Sequence, residues 1–382
     1  MKQLLAYCLS IILCVSFTGC MENYLDLYPE DKITSASFPE NESDIKLLLN
    51  GVYAQLREKE VYNQGSFGFG ITDGATPNAF NWGTDEVFNK LGAGRLSSSD
   101  GGVVTYRWKR CYEIISRANY LLACMDLVDL SEEAKAKYSG ETHFLRGLAY
   151  SVLAETYGGV PIILTDISTE EARSLKRASL EETWQQALDD YEVAITNLGV
   201  DAPEPGRATK GAALGMKMRA YLYQGKYKEV LSCVEQIDAL KKYGLFHSYE
   251  GLFDPANENN KEVLFDIQYI EGENSQGSYI DQYCGTGTGS WTRGSRYVPT
   301  DDLVAAYETI DGSPVDPENP YENRDPRLGF TAVLPGSYFL GYRFPNYLYP
   351  GGAFNHAGNR LKHLSTRKYR IQDESKLPPS GQ

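Results

Sequence analysis

Histidine is scarce in this sequence, at four of 382 residues. None stands in an HExxH pattern or a Cys/His cluster, which argues against a catalytic zinc site. His143 falls in a helical stretch, and His247, His356 and His363 are scattered. Basic residues are outnumbered, 37 Lys and Arg against 51 Asp and Glu, for a formal net charge of -14. A surface of that sign repels nucleic acid and anionic lipid headgroups, so neither is an expected partner. No Gly-x-Ser-x-Gly elbow is present. Two glycine-rich stretches, 65–70 and 285–289, are not followed by Gly-Lys-Ser/Thr, which argues against phosphate loops. With 51 acids, carboxylate pairs arise by chance, so none specifies a glycosidase. Nothing in these patterns specifies catalysis, a resident metal or a cofactor.

Long apolar runs are also missing. Leu4 to Phe17 is broken by Ser10 and Ser16 and falls short of the about 20 residues that span a bilayer core. With Lys2 ahead of it and Phe17-Thr18-Gly19-Cys20 at its end, it reads as a bacterial lipoprotein signal. Residues 1–19 are expected to be removed and Cys20 to become an acylated N-terminus; an ordinary secretory signal cleaved nearby is the alternative. Acyl chains, at about 0.8 kcal/mol per buried methylene, hold a protein to a membrane without a spanning helix. Of seven cysteines, Cys8 and Cys14 leave with the signal and Cys20 carries lipid. Cys111, Cys124, Cys233 and Cys284 remain. Cys111 and Cys124 lie too far apart along one predicted helix to bridge. With no CxxC pair, Cys111, Cys124 and Cys233 are expected to be small buried hydrophobes, and no disulfide is expected.

What the chain does have is helical periodicity. Val104, Trp108, Cys111, Ile115, Ala118, Leu122 and Met125 form one stripe at alternating steps of four and three. Ser131 with Glu132 and Glu133 opens a second helix, whose stripe of Phe144, Leu148 and Val152 stops at Gly158-Gly159-Val160-Pro161. Ser179 and Glu182 form a capping box for a third, with Leu180, Trp184, Leu188, Tyr191, Ile195 and Leu198 on its apolar face. Residues 208–224 and 226–241 make a helix pair about Gly225-Lys226-Tyr227, with Ala213 and Ala220 on the first member, similar to a tetratricopeptide unit. Such a unit cannot bury its apolar face alone, so the pairs are expected to stack. Trp108, Phe144, Leu148, Trp184 and Met218 are the expected core.

Residues 62–102 and 271–360 differ, being rich in Gly, Asn, Ser, Tyr and Trp with little helical period. Loops this long inside a compact chain are usually functional. Trp82, Tyr283, Trp291 and Tyr297 suit sugar binding, because a flat ring covers the apolar face of a pyranose while amides, carboxylates and arginines take its hydroxyls. Asp73, Asn78, Asn81 and Arg293 are the polar candidates beside them. Packing of the same rings within a loop subdomain is the competing reading.

Several motifs together resemble the SusD/RagB-like outer-membrane lipoproteins of Bacteroidetes. They are Cys20 followed by Tyr24-Leu25-Asp26-Leu27-Tyr28-Pro29, then Asn50-Gly51-Val52-Tyr53, then Ile115 to Leu122 with Arg117-Ala118-Asn119. Gly140 to Tyr150, Tyr157-Gly158-Gly159-Val160-Pro161-Ile162, Pro299 to Gly312 and Asn323-Arg324-Asp325-Pro326-Arg327-Leu328 continue the set in order. The resemblance implies a mostly α fold, a tetratricopeptide-like scaffold (about 40–60 and 103–245) with a loop-rich ligand-binding portion (about 62–102 and 246–360) folded onto it. It also implies a non-enzymatic protein at the outer membrane that captures oligosaccharides for a SusC-like TonB-dependent transporter. Import of peptides or another non-sugar nutrient on the same scaffold is the alternative, and a surface enzyme a third reading. Glu141, Arg146, Asp325 and Arg327 are expected to be ion pairs and caps joining scaffold to loops. Family members usually continue past the region of Lys368-Tyr369 into a further helix pair, which this sequence does not contain before Gln382.

Overall fold

The computed structural model describes residues 38–58, 73–81, 90–97, 99–269, 297–339, 342–343 and 365–366. Its scaffold is a succession of antiparallel helices, most of which begin where a short polar side chain satisfies a free amide of the first turn. Asn41 caps α1 (Glu42–Gln55) by accepting from the Asp44 amide at 3.2 Å. The long helix α2 (Val103–Cys124) leads to α3 (Glu132–Tyr157), whose Ser131 cap accepts from Ala134 N at 3.2 Å. Reciprocal capping boxes open the short α4 (Thr169–Ser174), through Ser168 and Glu171, and α5 (Leu180–Asn197), through Ser179 and Glu182. The pair α6 (Lys210–Tyr223) and α7 (Tyr227–Ala239) turns at Gly225, where a φ of 69° suits a residue without Cβ.

Each long helix packs on its predecessor, with α3 against α5 the most extensive contact and α1 laid across α2 and α3. Phe144, Leu145, Tyr150, Tyr191, Ile114 and Ile115 are almost completely shielded and form one continuous core. α3 and α5 meet through glycine. A Cβ on Gly147 would stand 3.0 Å from the Tyr191 ring and 3.1 Å from Ala187 O, and one on Gly140 would press on Leu198 at 3.0 Å. These glycines lie two turns apart on the same face, so their loss of side chain sets the helix separation. Among the described residues no helix is long and apolar enough to cross a membrane.

Buried polar groups are joined across three helices. Arg146 on α3 donates its Nε and Nη2 to both carboxylate oxygens of Asp190 on α5, at 2.7 to 3.2 Å. Its Nη1 reaches Asn119 Oδ1 on α2 at 2.8 Å. The Asn119 amide then donates to the carbonyls of Ile163 and Thr165 at 3.0 and 3.2 Å. Tyr150 completes the clamp on the segment after Gly158, its hydroxyl donating to Ile163 O at 2.9 Å and accepting from Ile163 N at 2.8 Å.

Among the described residues the remainder is built from short pieces. Helices α8 (Asp301–Ala306) and α9 (Arg327–Thr331) accompany six strands of two or three residues: β1 (Ala79–Asn81), β2 (Tyr297–Pro299), β3 (Ala332–Val333), β4 (Tyr338–Phe339), β5 (Tyr342–Arg343) and β6 (Ser365–Thr366). They pair antiparallel as β1 with β2, β3 with β6 and β4 with β5. A small second core of Leu328 and Ala332, covered by Val304, Tyr307, Tyr321 and Leu334, holds this portion. Arg324 fastens it by donating to the carbonyls of Val304, Tyr307 and Pro320 at 2.5 to 3.2 Å.

Several expectations need correction. Leu180, at the first turn of α5, is 48 % exposed because the apolar stripe enters the core only from Trp184. Met218 is only half-buried, and Met216 packs on the core instead, with Lys217 turned inward to Glu192. Trp108 also covers the core rather than entering it. Arg146 joins helix to helix, and Asp325 pairs with Arg327 two residues away at the start of α9; neither joins scaffold to loop. Glu141 does, reaching Arg207 in the α5–α6 connection at 3.5 Å. Cys111, Cys124 and Cys233 are buried and unpaired as expected, and Cys284 lies outside the described residues.

Two outcomes follow. Arg146→Ala leaves the Asp190 carboxylate buried without its cation and should lower stability by about 3 to 5 kcal/mol in a denaturant melt. Arg146→Met with Asp190→Leu should recover part of that loss; a fall as large as the single change would contradict the ion-pair account. Gly147→Ala gains up to about 1 kcal/mol of helix propensity but overpacks the α3–α5 contact by about 1 to 3. Its melting temperature should therefore fall, and a rise would show that the glycine does not set the spacing.

Candidate ligand-binding site

The two loop-rich stretches meet at one ladder. β1 and β2 come from opposite ends of the chain and pair antiparallel, with Ala79 opposite Pro299, Phe80 opposite Val298 and Asn81 opposite Tyr297. Three residues per strand make a weak ladder, so its ends are tied by side chains. Thr300 does most of this: its amide donates to Asn78 O at 3.0 Å, its hydroxyl donates to Pro77 O and accepts from Leu303 N at 3.1 Å to cap α8. Asp301 and Asp302 in the first turn of α8 suit the positive end of that helix. Val298 is buried, while its cross-strand partner Phe80, on the same face of the pair, is 45 % exposed.

Ahead of β1 the chain folds on itself. Thr76 donates to Asp73 O through its amide at 3.0 Å and its hydroxyl at 2.8 Å, and that hydroxyl accepts from Asn78 N at 3.1 Å. This local turn holds Asp73 and Asn78 at the surface, both exposed, next to the ladder. Of the residues expected to bind sugar, Asp73, Asn78 and Asn81 therefore share one segment, and Asn81 is registered against Tyr297 from the other. Trp82 follows Asn81 directly but lies outside the described residues, as do Tyr283, Trp291 and Arg293. Phe80 was not among the candidates; it sits between Ala79 and Asn81 in a strand too short to show an alternation signal.

Two concave surfaces lie on the scaffold. A shallow groove of about 480 Å³ runs along α2 beside Trp108, Lys109, Tyr112, Glu113, Ser116 and Arg117, with the two rings 5.1 Å apart. A second, of about 390 Å³, opens between the C-terminal turn of α1, residues 204–207 and residues 265–268. Beneath it Tyr53 donates to Glu141 at 2.7 Å and accepts from Ala208 N at 2.9 Å, and Arg207 lies 4.9 Å over the Tyr53 ring. Burial raises the Glu141 carboxyl above its ordinary range, opposed by the Tyr53 hydroxyl and the Arg207 charge. Held by Tyr53 and Arg207, it serves as a joint between α1, α3 and the α5–α6 connection. Burial likewise pushes the Cys111 thiol up to about 12, which removes it as a nucleophile. Among the described residues no group of three or more His, Cys, Asp or Glu is placed to hold a metal ion.

Comparison with known proteins places this geometry. A family model described as "Starch-binding associating with outer membrane" matches residues 23–222, more than half of the chain, and the SusD family model matches residues 261–378. A SusD-like protein of Formosa agariphila is 26% identical over 321 residues, 78% of this chain and 58% of its own length. One from Bacteroides ovatus is 25% identical over 272 residues, 66% of this chain and 48% of its own. The chain thus spans roughly half the length of these curated relatives. A crystal structure of a SusD-like carbohydrate-binding protein from Bacteroides fragilis superposes with a TM-score of 0.75 at 26% identity, covering 88% of this chain and 68% of that one. A laminarin-binding SusD-like protein shares the fold, with a TM-score of 0.63 at 19% identity over 87% of this chain and 73% of its own. With the helical scaffold, the loop portion and both family matches in agreement, the chain belongs to the SusD family.

Proposed function

We propose that this protein is a non-catalytic cell-surface lipoprotein that captures oligosaccharides and delivers them to a SusC-like TonB-dependent outer-membrane transporter. In this reading residues 1–19 are a signal, Cys20 carries the lipid, and residues 20–382 are one SusD-like domain. The observation that carries it is the β1–β2 ladder, which joins the two aromatic-rich, amide-rich stretches into one surface on a rigid scaffold. Asp73 and Asn78 are exposed beside that ladder, Trp82 follows β1, and Tyr297 opens β2, with Trp291 and Arg293 just before it. Rings and hydrogen-bonding groups in that mixture meet the two needs of a sugar, stacking and hydroxyl pairing. Family membership and the carbohydrate-binding relative from Bacteroides fragilis support the ligand class. The buried carboxylate with a raised pKa, Glu141, is bonded by Tyr53 and paired with Arg207 within the fold, which supports a structural role for it over acid-base chemistry.

A glycan array should show selective binding of one oligosaccharide class. Trp82→Ala and Trp291→Ala should each weaken that binding by about 2 kcal/mol or more while leaving the melting temperature near wild type. Early melting with normal binding in both would make these residues core and overturn the site. Co-purification with an outer-membrane transporter should survive both changes, since a standard interface above roughly 1,200 Å² does not rest on the ligand's stacking rings.

The anchor has its own test. Radiolabelled palmitate should enter the wild type and not Cys20→Ala, and the variant should leave the membrane fraction; label retained by the variant would refute lipidation at Cys20.

A further inference from the structure

The cavity of about 390 Å³ near the end of α1 carries a charge pattern that the glycan reading does not use. Four ionised side chains line it: Arg57, Glu204, Arg207 and Asp266. Two of them are spoken for. Arg207 pairs with Glu141 and Glu204, each at 3.5 Å, and donates to Asn50 Oδ1 at 2.5 Å, while Glu204 also pairs with Lys46 at 2.9 Å. Arg57 and Asp266 are different. Both are half-buried, neither pairs with the other, and among the described residues neither has an ion-pair partner. Among the described residues Asp266 accepts only from the Gln268 amide, through Oδ2 at 2.7 Å.

A half-buried charge has lost part of its hydration, and without a counter-charge little of that loss is returned. Here one cation and one anion are left so within a single cavity, whose wall also includes the polar Asn50 and Gln268 and the apolar or aromatic Tyr53, Ala54, Leu56, Phe265 and Ile267. The wall is firm, because Phe265 packs edge-on to the core residue Phe144 at 4.9 Å. A neutral sugar offers neither counter-charge, and a simple acid or amine would satisfy one side chain and leave the other bare. A molecule with a carboxylate, an ammonium and an apolar side chain satisfies all three features, and the volume falls within the range of small-ligand sites.

We infer that this cavity is a second binding site, separate from the β1–β2 face, that takes a short zwitterionic peptide with its carboxylate on Arg57, its ammonium on Asp266 and its side chain on Phe265 and Ile267. The Arg57 guanidinium suits a carboxylate because its two N–H groups can meet both oxygens at once.

Calorimetry on the full chain tests this with the dipeptide Ala-Phe and two blocked forms, N-acetyl-Ala-Phe and Ala-Phe-amide. Ala-Phe should bind with one site per chain, and removing either terminal charge should weaken binding about tenfold or more. Arg57→Gln should abolish the preference for Ala-Phe over its amide while keeping the preference over the acetylated form. Asp266→Asn should do the reverse. The blocked ligands on the wild type need no variant, so the proposal is exposed even if a substitution disturbs the fold. Absence of binding, equal binding of all three ligands, or unchanged preferences in both variants would overturn it. Glycan binding unaltered in Arg57→Gln would confirm that the two sites are separate, and joint loss of both would refute that separation.

Discussion

The chain of hydrogen bonds from Asp190 through Arg146 and Asn119 to the carbonyls of Ile163 and Thr165 holds the scaffold in register. It spans α5, α3, α2 and the strap that follows α3, so four pieces of backbone share one buried guanidinium. A core of aliphatic side chains would accept several offsets between these helices at similar energy, whereas a bidentate ion pair accepts one. The remaining donor on Arg146 and both contacts of the Asn119 amide then leave few ways for the strap to lie. Polar burial is expensive when incomplete, and each member of this network has its partner.

Tyrosine extends the same logic to the edges of the core. Of the 28 tyrosines, several on the scaffold bury the ring and spend the hydroxyl on backbone or carboxylate at the boundary. Tyr112 donates to Pro161 O at 2.7 Å, Tyr157 to Val104 O at 2.5 Å and Tyr138 to Glu42 at 2.8 Å. The first ties α2 to the segment after α3, and the other two tie α3 to α2 and to α1. Where charge is used, as in Tyr53 with Glu141 and Arg207, burial shifts the titration of both acids upward, so the joint is held by hydrogen bonding as much as by ionisation.

Much of this was legible because helices announce themselves locally. The Ser179 and Glu182 capping box, the Ser131 cap and the stop at Gly158 depend on residues within one turn, and the structure places all three as expected. Misassignments arose where a neighbour in space decides. Periodicity alone cannot tell that the first turn of α5 leaves Leu180 in solvent, or that Lys217 turns inward because Glu192 on the adjacent helix receives it. Arg146 reads as charged and hence as a surface or loop contact, yet its acid lies 44 positions further along the chain. The β1–β2 pairing is hidden for a related reason. Three-residue strands carry almost no alternation signal, and their partners are separated by most of the chain.

The division between scaffold and loops also bears on how binding surfaces arise here. Stacked helix pairs satisfy their own backbone, so their faces can be nearly smooth, and concavity appears where something irregular is laid against them. The cavity near the end of α1 forms in this way, from the 204–207 turn and the 265–268 segment resting against α1. Gly206, with a φ of 79°, lets the turn approach, since a Cβ there would meet the Gln268 side chain at 2.7 Å. The β1–β2 ladder follows the same principle with different parts: two irregular stretches cross, Thr300 locks the crossing, and residues on either side are presented without needing regular structure of their own. A scaffold that is complete before its loops are added leaves loop residues free to vary in chemistry, because a substitution at Asn78 or Phe80 disturbs neither the Arg146 network nor the α3–α5 contact.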